Sequence, residues 1–516
     1  MRLFIMRTHK KYYYLFFGIT LLLGACNKKT QFPQPDIVND NIILSGVVLD
    51  DRLDKEDNPL PIEISFFNPV SGKRKSYNIT TNKKGKFDVR LPVEINPALA
   101  FFNLGYGEYF IMAPLIVNEN NFIRIRFDRN GNMTVKLRNS IWASSYDMTE
   151  AGNMYMEMEA NPCAESNPSY NSFYNKSLED YTNSVYENIN CRISATMGKF
   201  PHISKPTKEI LIREFRFSLL RSYMFHYGEY VLTGYRNTYS EELWDNYIAP
   251  LEPEKCFYVF FKELNLNDKK NLLPGEAFNN MLNCILSNAT LGIQEISDKP
   301  IKSWIKETAE ILGELVGFEE GFFYDYLALR SYMRQFEYQT KPLTEVQRQN
   351  INSHFVNKAI PEIIFRENER NEKLSKFIGV PVINQTPDCP VEHLLETIIL
   401  KHKGKKVFVD FWATWCGACI DAIDDIKELK KDIHDKNMVF VYFTNTSSPK
   451  NQWEKRIQGI GGEHYYLSKK QWDYLLNQLD FSSIPTYLLF DREGVLKEKV
   501  TGYTCNDDLR KILLKF

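Results

Sequence analysis

Val407-Phe408-Val409-Asp410-Phe411-Trp412 runs directly into Ala413-Thr414-Trp415-Cys416-Gly417-Ala418-Cys419. The first six residues form an apolar run with a single carboxylate in it, the pattern of a buried strand. A segment with helical spacing follows, from Cys416 to about Lys431. The two cysteines stand three apart at the junction of strand and helix, which makes them a redox pair. Further along, Met438–Phe443 reads as a strand and Gln471–Leu479 as a helix. Thr486–Phe490 and Val495–Val500 form a hairpin over Asp491-Arg492-Glu493-Gly494, and Asp507–Leu514 closes with a helix. Residues 376–516 are therefore predicted to be an α/β domain with a central mixed sheet.

The chemistry follows from these positions. Cys416 is placed at a helix N-terminus, where unpaired N–H groups and the positive end of the dipole favour thiolate over thiol. It is the candidate nucleophile toward a disulfide. Cys419, about one turn on, is the candidate resolving thiol that attacks the mixed disulfide. Asp410 interrupts an otherwise apolar run, where burial is costly and raises a carboxyl's proton affinity. It is the candidate acceptor and donor of the Cys419 proton. Pro485 stands in Ser483-Ile484-Pro485-Thr486, at the entry to Tyr487-Leu488-Leu489-Phe490.

The order Val409-Asp410-Phe411-Trp412-Ala413-Thr414-Trp415-Cys416-Gly417-Ala418-Cys419, then Ile484-Pro485-Thr486, then Gly494 and Gly502, resembles thioredoxin. The Phe411–Cys416 string and the long upstream region resemble the membrane-anchored TlpA/ResA-like disulfide reductases. The resemblance spans residues 376–516. It implies a cis Ile484–Pro485 bond beside the Cys416–Cys419 disulfide. It also implies an Ile484 backbone that pairs with an extended substrate segment, and a Trp415 that shields the disulfide and touches substrate. Two departures stand out. Ala418 replaces the usual Pro between the cysteines, and Ala422, Ile423 and Asp424 occupy the place of a common Glu–apolar–Pro pattern. Asp421, Asp424 and Asp425 oppose thiolate formation at Cys416, so a mildly acidic Cys416 is expected, suited to a reductant.

Upstream, 41–137 reads as a small β-sandwich. Ile42–Leu49, Pro61–Phe67, Ser76–Thr81 and Lys86–Leu91 are β-rich runs, and Ile123–Phe127 alternates cleanly. Residues 138–375 read as a helical domain, with apolar spacing over Ile210–Leu232, Glu241–Ile248, Ala277–Leu286, Ile301–Gln335 and Val346–Phe365. Its dense Tyr and Phe runs read as helical core and interface packing, with an aromatic groove that docks a substrate or partner as the alternative.

The N-terminus reads as a leader. Arg2, Arg7, Lys10 and Lys11 precede the apolar stretch Tyr12–Leu23, which is short for a membrane span. Leu23-Gly24-Ala25-Cys26 then resembles a bacterial lipobox, which implies cleavage of 1–25, lipid attachment at Cys26 and a tether over 26–40. The expected location is the cell envelope, lipid-anchored and facing the periplasm, a compartment that permits disulfides.

The whole chain has 516 residues, 64 basic against 65 acidic, with no nucleic-acid signature. The expected function is reduction of disulfides in envelope proteins, re-supplied by a membrane thiol electron donor. The alternatives are an envelope oxidase or isomerase on the same fold, and a redox-gated adaptor. No cofactor is called for. Structural zinc is disfavoured because Cys416 and Cys419 lack a second ligand pair. A peroxidase is disfavoured because Ala413 stands where such enzymes carry Thr. His402, His434 and His464 are isolated and read as solvent or core residues. Cys163, Cys191, Cys256, Cys284, Cys389 and Cys505 cannot be paired from spacing alone.

Overall fold

The computed structural model describes residues 32–52, 59–105, 110–138, 144–160, 173–433, 437–502 and 506–515. The leader, Cys26, Cys163, Cys505 and His434 lie outside the described residues. The first strands are β1 (Asp36–Asp50), β2 (Pro61–Asn68), β3 (Lys73–Thr80), β4 (Lys86–Asn96), β5 (Ala98–Asn103), β6 (Phe110–Leu115), β7 (Asn121–Phe127) and β8 (Met133–Leu137). They form two four-stranded sheets in the orders β4-β1-β7-β8 and β3-β2-β5-β6. β1 begins inside the stretch read as tether. The alternation of β7 buries Ile123, Ile125 and Phe127 while Arg124 and Arg126 face out, as a half-buried strand requires.

The helices that follow are α1 (Ser145–Glu159), α2 (Leu178–Lys199), α3 (Lys205–Phe225), α4 (Tyr227–Thr238), α5 (Glu276–Ser287), α6 (Ile301–Val316), α7 (Phe322–Gln339), α8 (Glu345–His354) and α9 (Ala359–Ile378). Several runs that read as single helices are broken. The 301–335 run stops at Gly317, which adopts φ +85° and caps α6 by donating its N–H to Gly313 O at 2.8 Å. That left-handed turn is unstrained only for glycine. The 346–365 run splits before Pro361, which sits in the first turn of α9, where its missing N–H costs no helix bond. The 210–232 run breaks at His226, and Glu241–Asn246 is a 3₁₀ turn. The aromatic runs pack on each other: Tyr181, Tyr223, Tyr227, Tyr230 and Phe173 form ring pairs 4.5–6.1 Å apart.

The chain divides into two compact units. One takes residues up to Arg330 together with Asn350–Ile363, the other Ser331–Gln349 together with Ile364 onward. In the second unit, β9 (Pro381–Asn384), α10 (Leu394–Leu400), β10 (Lys406–Phe411), α11 (Gly417–Ile433), β11 (Met438–Asn445), α12 (Lys450–Ile457), β12 (Gly462–Leu467), α13 (Lys469–Gln478), β13 (Thr486–Phe490), β14 (Leu496–Thr501) and α14 (Asn506–Lys515) follow in order. They build a six-stranded sheet, β14-β13-β10-β11-β12-β9. β10, β11, β12 and β9 run parallel, while β13 is antiparallel to β10 and β14.

Central β10 is buried on both faces. Val407, Val409 and Phe411 pack with Leu394, Ile398, Trp472 and Leu475 from α10 and α13. Phe408 lies on the opposite face, against Ala422, Ile426 and Leu429 of α11 and Leu509 and Leu513 of α14. By alternation Asp410 shares that second face. The helical residues of this unit pack onto α11 and α12. Lys427 Nζ donates to Glu337 O at 3.3 Å, the Arg456 guanidinium lies 4.2 Å from the Tyr338 ring centre, and Arg370 pairs with Glu428 at 2.5 Å. Among the described residues no helix is long and apolar enough to cross a membrane.

A candidate redox site at the end of the central strand

β10 ends at Phe411, and the chain turns through Trp412–Trp415 before α11 begins at Gly417. Cys416 therefore stands immediately before the first helical residue. The Cys419 amide N–H points back at Cys416 Sγ from 3.2 Å. Cys416 and Cys419 form a disulfide with Cα atoms 5.2 Å apart. The two sulfurs differ in access: Cys416 retains 7% exposure and Cys419 none. An outer sulfur that a partner reaches and an inner one that it does not is the asymmetry that nucleophile and resolving thiol need.

The loop around them is held from two sides. Cys416 Sγ lies 3.8 Å from Ile484 O. The Ile484–Pro485 bond is cis, and Pro485 O accepts the N–H of Gly502 at 2.8 Å. Pro485 is buried and Ile484 half-buried. On the other side, buried Ser448 Oγ accepts the Thr414 N–H at 3.0 Å and bonds Thr444 Oγ1 at 2.8 Å. Exposed Trp415 donates its indole N–H to Ser447 Oγ at 2.9 Å. The motif reading did not identify Ser447 and Ser448, because both act across some thirty residues of chain.

Asp410 is fully buried, and neither of its oxygens has a hydrogen-bond partner among the described residues. It is register partner to Tyr442 on one side and Tyr487 on the other. Tyr442 belongs to the same buried cluster as Cys416, Cys419, Trp412, Trp453 and Ile460. Burial raises the Asp410 carboxyl well above the usual carboxylate range, and the charge of Lys430 pulls it back. His464, also buried, stacks on Tyr442 at 4.9 Å and bonds Gly461 O at 3.0 Å. Burial drives it down to about 3, so the ring is neutral; of the two readings the sequence left open, solvent or core, this histidine takes the core.

The acidic residues after Cys419 are compensated. Asp424 pairs with Lys427 at 2.8 Å. Arg456, buried, is stabilised as a cation by Tyr338 and by Asp424 and Asp421. The opposition of these acids to a Cys416 thiolate is thus weaker than their number suggests. Elsewhere, Cys191 is disulfide-bonded, while Cys256 and Cys389 are free thiols and Cys284 is not in a disulfide. Among the described residues no group of three or more His, Cys, Asp or Glu is placed to hold a metal ion.

Comparison with known proteins agrees with this geometry. A family model described as a thioredoxin-like domain matches residues 395–516. The thiol-disulfide oxidoreductase ResA of Geobacillus thermodenitrificans is 30% identical over 137 residues, which cover 26% of this chain and 78% of the relative. The thioredoxin-like protein YneN of Bacillus subtilis is 26% identical over 145 residues, 27% of this chain and 82% of the relative. Among solved structures, the exposed lipoprotein thioredoxin Etrx1 of Streptococcus pneumoniae is 24% identical, with 23% of this chain and 90% of that one covered and a TM-score of 0.19. Through its C-terminal domain the chain belongs to the ResA-like thiol-disulfide oxidoreductases of the thioredoxin superfamily.

Proposed function

We propose that this protein reduces disulfides of envelope proteins through Cys416 and Cys419. The observation that carries the reading is the unequal access of the two sulfurs beside an exposed Trp415 and the Ile484 backbone. In the reduced enzyme the Cys416 thiolate attacks one sulfur of a substrate disulfide. The substrate S–S bond breaks, a mixed disulfide forms, and one substrate thiolate leaves. Cys419 then gives its proton to Asp410, and its sulfur attacks Cys416 Sγ. The mixed disulfide breaks, the second substrate thiolate departs and is protonated, and the enzyme is left as the Cys416–Cys419 disulfide. Substrate gains the two electrons that the dithiol loses.

Trp415, Ile484 and Pro485 form the proposed docking edge, with an extended substrate segment laid along the Ile484 backbone. Lipid attachment at Cys26 after removal of 1–25 would hold the domain at a membrane, facing the periplasm, where a membrane thiol donor returns it to the dithiol. The test is trapping in cells. A Cys419→Ser variant should accumulate mixed disulfides through Cys416 that a Cys416→Ser variant lacks. If neither variant traps any protein thiol while the double variant keeps full biological activity, the exchange reading is wrong and an adaptor role replaces it.

A further inference from the structure

One buried cation in this unit has no role in the exchange steps above. Lys430 lies on α11, 4% exposed. Its ammonium donates to Ile460 O at 2.8 Å and sits 4.6 Å and 5.3 Å from the ring centres of Phe440 and Tyr442. A buried lysine surrounded by rings and one carbonyl is expensive unless an anion faces it. Tyr442 is the register neighbour of Asp410, so the ammonium and the carboxylate flank the same ring on the same face of the sheet. They interact through space, although Asp410 makes no hydrogen bond to it.

We propose that Lys430 is a positioning residue of the redox site: its buried ammonium is the counter-charge that lets Asp410 stand as the carboxylate accepting the Cys419 proton. The proposal rests on the exchange reading above, in which Asp410 is that acceptor. The other groups facing Asp410 cannot replace Lys430. Tyr442 from β11 is neutral, its hydroxyl held well above its ordinary value by burial and by Asp410 itself. His464 from β12 is neutral, Tyr487 comes from β13, and the α14 residues described in this cluster, Leu509, Ile512 and Leu513, are apolar. Lys427, the other buried lysine of α11, is committed to Asp424 and Glu337 O. Burial and the repulsion of Lys427 push the Lys430 ammonium down to about 7, while Asp410 pulls it up. Lys430 and Asp410 therefore titrate as a coupled pair.

The test isolates the resolving step in the full chain. Reduced protein is mixed with one equivalent of an aromatic disulfide whose thiol is coloured when released. Cys416 attack frees the first thiol, and Cys419 attack on the mixed disulfide frees the second. A Cys416→Ser/Cys419→Ser protein serves as blank for the other cysteines. The rate of the second release is followed against pH in wild type, Asp410→Asn, Lys430→Met and Lys430→Gln, with thermal unfolding as a check on folding. Met fills the lysine volume, and Gln keeps an N–H donor without the charge.

The expected result is that Asp410→Asn removes the acid limb. Both Lys430 variants should move that limb to higher pH by about one unit, about tenfold in rate on its acid side. If Asp410→Asn removes the limb but both Lys430 variants superimpose on wild type, Lys430 merely ties α11 to Ile460 and this proposal is overturned. If Asp410→Asn itself leaves the limb unchanged, the Asp410 reading is what fails, and the role given to Lys430 goes with it.

Discussion

The Cys419 amide N–H lies 3.2 Å from Cys416 Sγ and points at it. This one bond links the helix start to the proposed nucleophile. In the reduced protein the same N–H, with the other unpaired donors of the first turn, stabilises a thiolate at Cys416. Asp421 and Asp424 work against it but are balanced by Lys427 and Arg456.

A mildly acidic Cys416 follows. Its thiolate should form more readily than that of an unperturbed thiol but less readily than at the strongly oxidising extreme. Alkylation rate against pH, on reduced protein, measures it. A midpoint below about 5 would show that the acids exert no restraint.

Asp410 costs stability in the range where the enzyme works. Its carboxyl is raised in the folded state, so the folded chain binds more protons than the unfolded one above the ordinary value of 3.8. Stability therefore falls as pH rises from there toward the folded-state value. Asp410→Asn should stabilise by on the order of 1–3 kcal/mol at pH 7–8. The gain should fade as pH falls through the folded-state value and be gone by about pH 4, the unfolded-state value. Denaturant unfolding at both pH values checks this. Equal gain at both would mean the effect is not ionisation.

Gly461 is a packing requirement. Its φ is +63°, and a Cβ there would lie 1.9 Å from Ile378 O. Gly461→Ala should cost at least about 2 kcal/mol, from backbone strain and the need to displace α9's C-terminal end. Unfolding within 0.5 kcal/mol of wild type, a surface-like change, would mean that this junction yields easily.

Ser448→Ala leaves the half-buried Thr414 N–H and the buried Thr444 hydroxyl short of a partner. The expected loss is about 1–3 kcal/mol, together with slower exchange, because the loop before Cys416 loses its anchor. Stability lost with no change in exchange rate would separate the loop's packing from its chemistry.

The sequence told most where the signal is local. An apolar run with one aspartate, two cysteines three apart and an apolar–Pro–Thr entry to a strand each report on their own neighbourhood, and they locate β10, α11 and β13. Lys430 escaped although its position was readable. Cys419, Ile423, Ile426 and Lys430 fall at spacings of four, three and four, one stripe of α11. A lysine ending such a stripe is ordinarily taken to reach solvent, and only the packing of Ile460, Phe440 and Tyr442 around it shows otherwise. Strand β9 was illegible for another reason. Pro381–Asn384 has four residues with no buried face, and its pairing with β12 is specified some eighty residues later. The divided helices upstream turn on single residues, such as Gly317, whose effect outweighs an unbroken apolar period.

The reduction potential of the Cys416–Cys419 pair tests the central claim most directly. It is measured on a chain lacking residues 1–26, equilibrated in thiol redox buffers. The account predicts a value near or below about −250 mV, toward the thioredoxin end of the range. A value of roughly −120 to −180 mV would make the protein an oxidase or isomerase and contradict the direction of electron flow proposed for it.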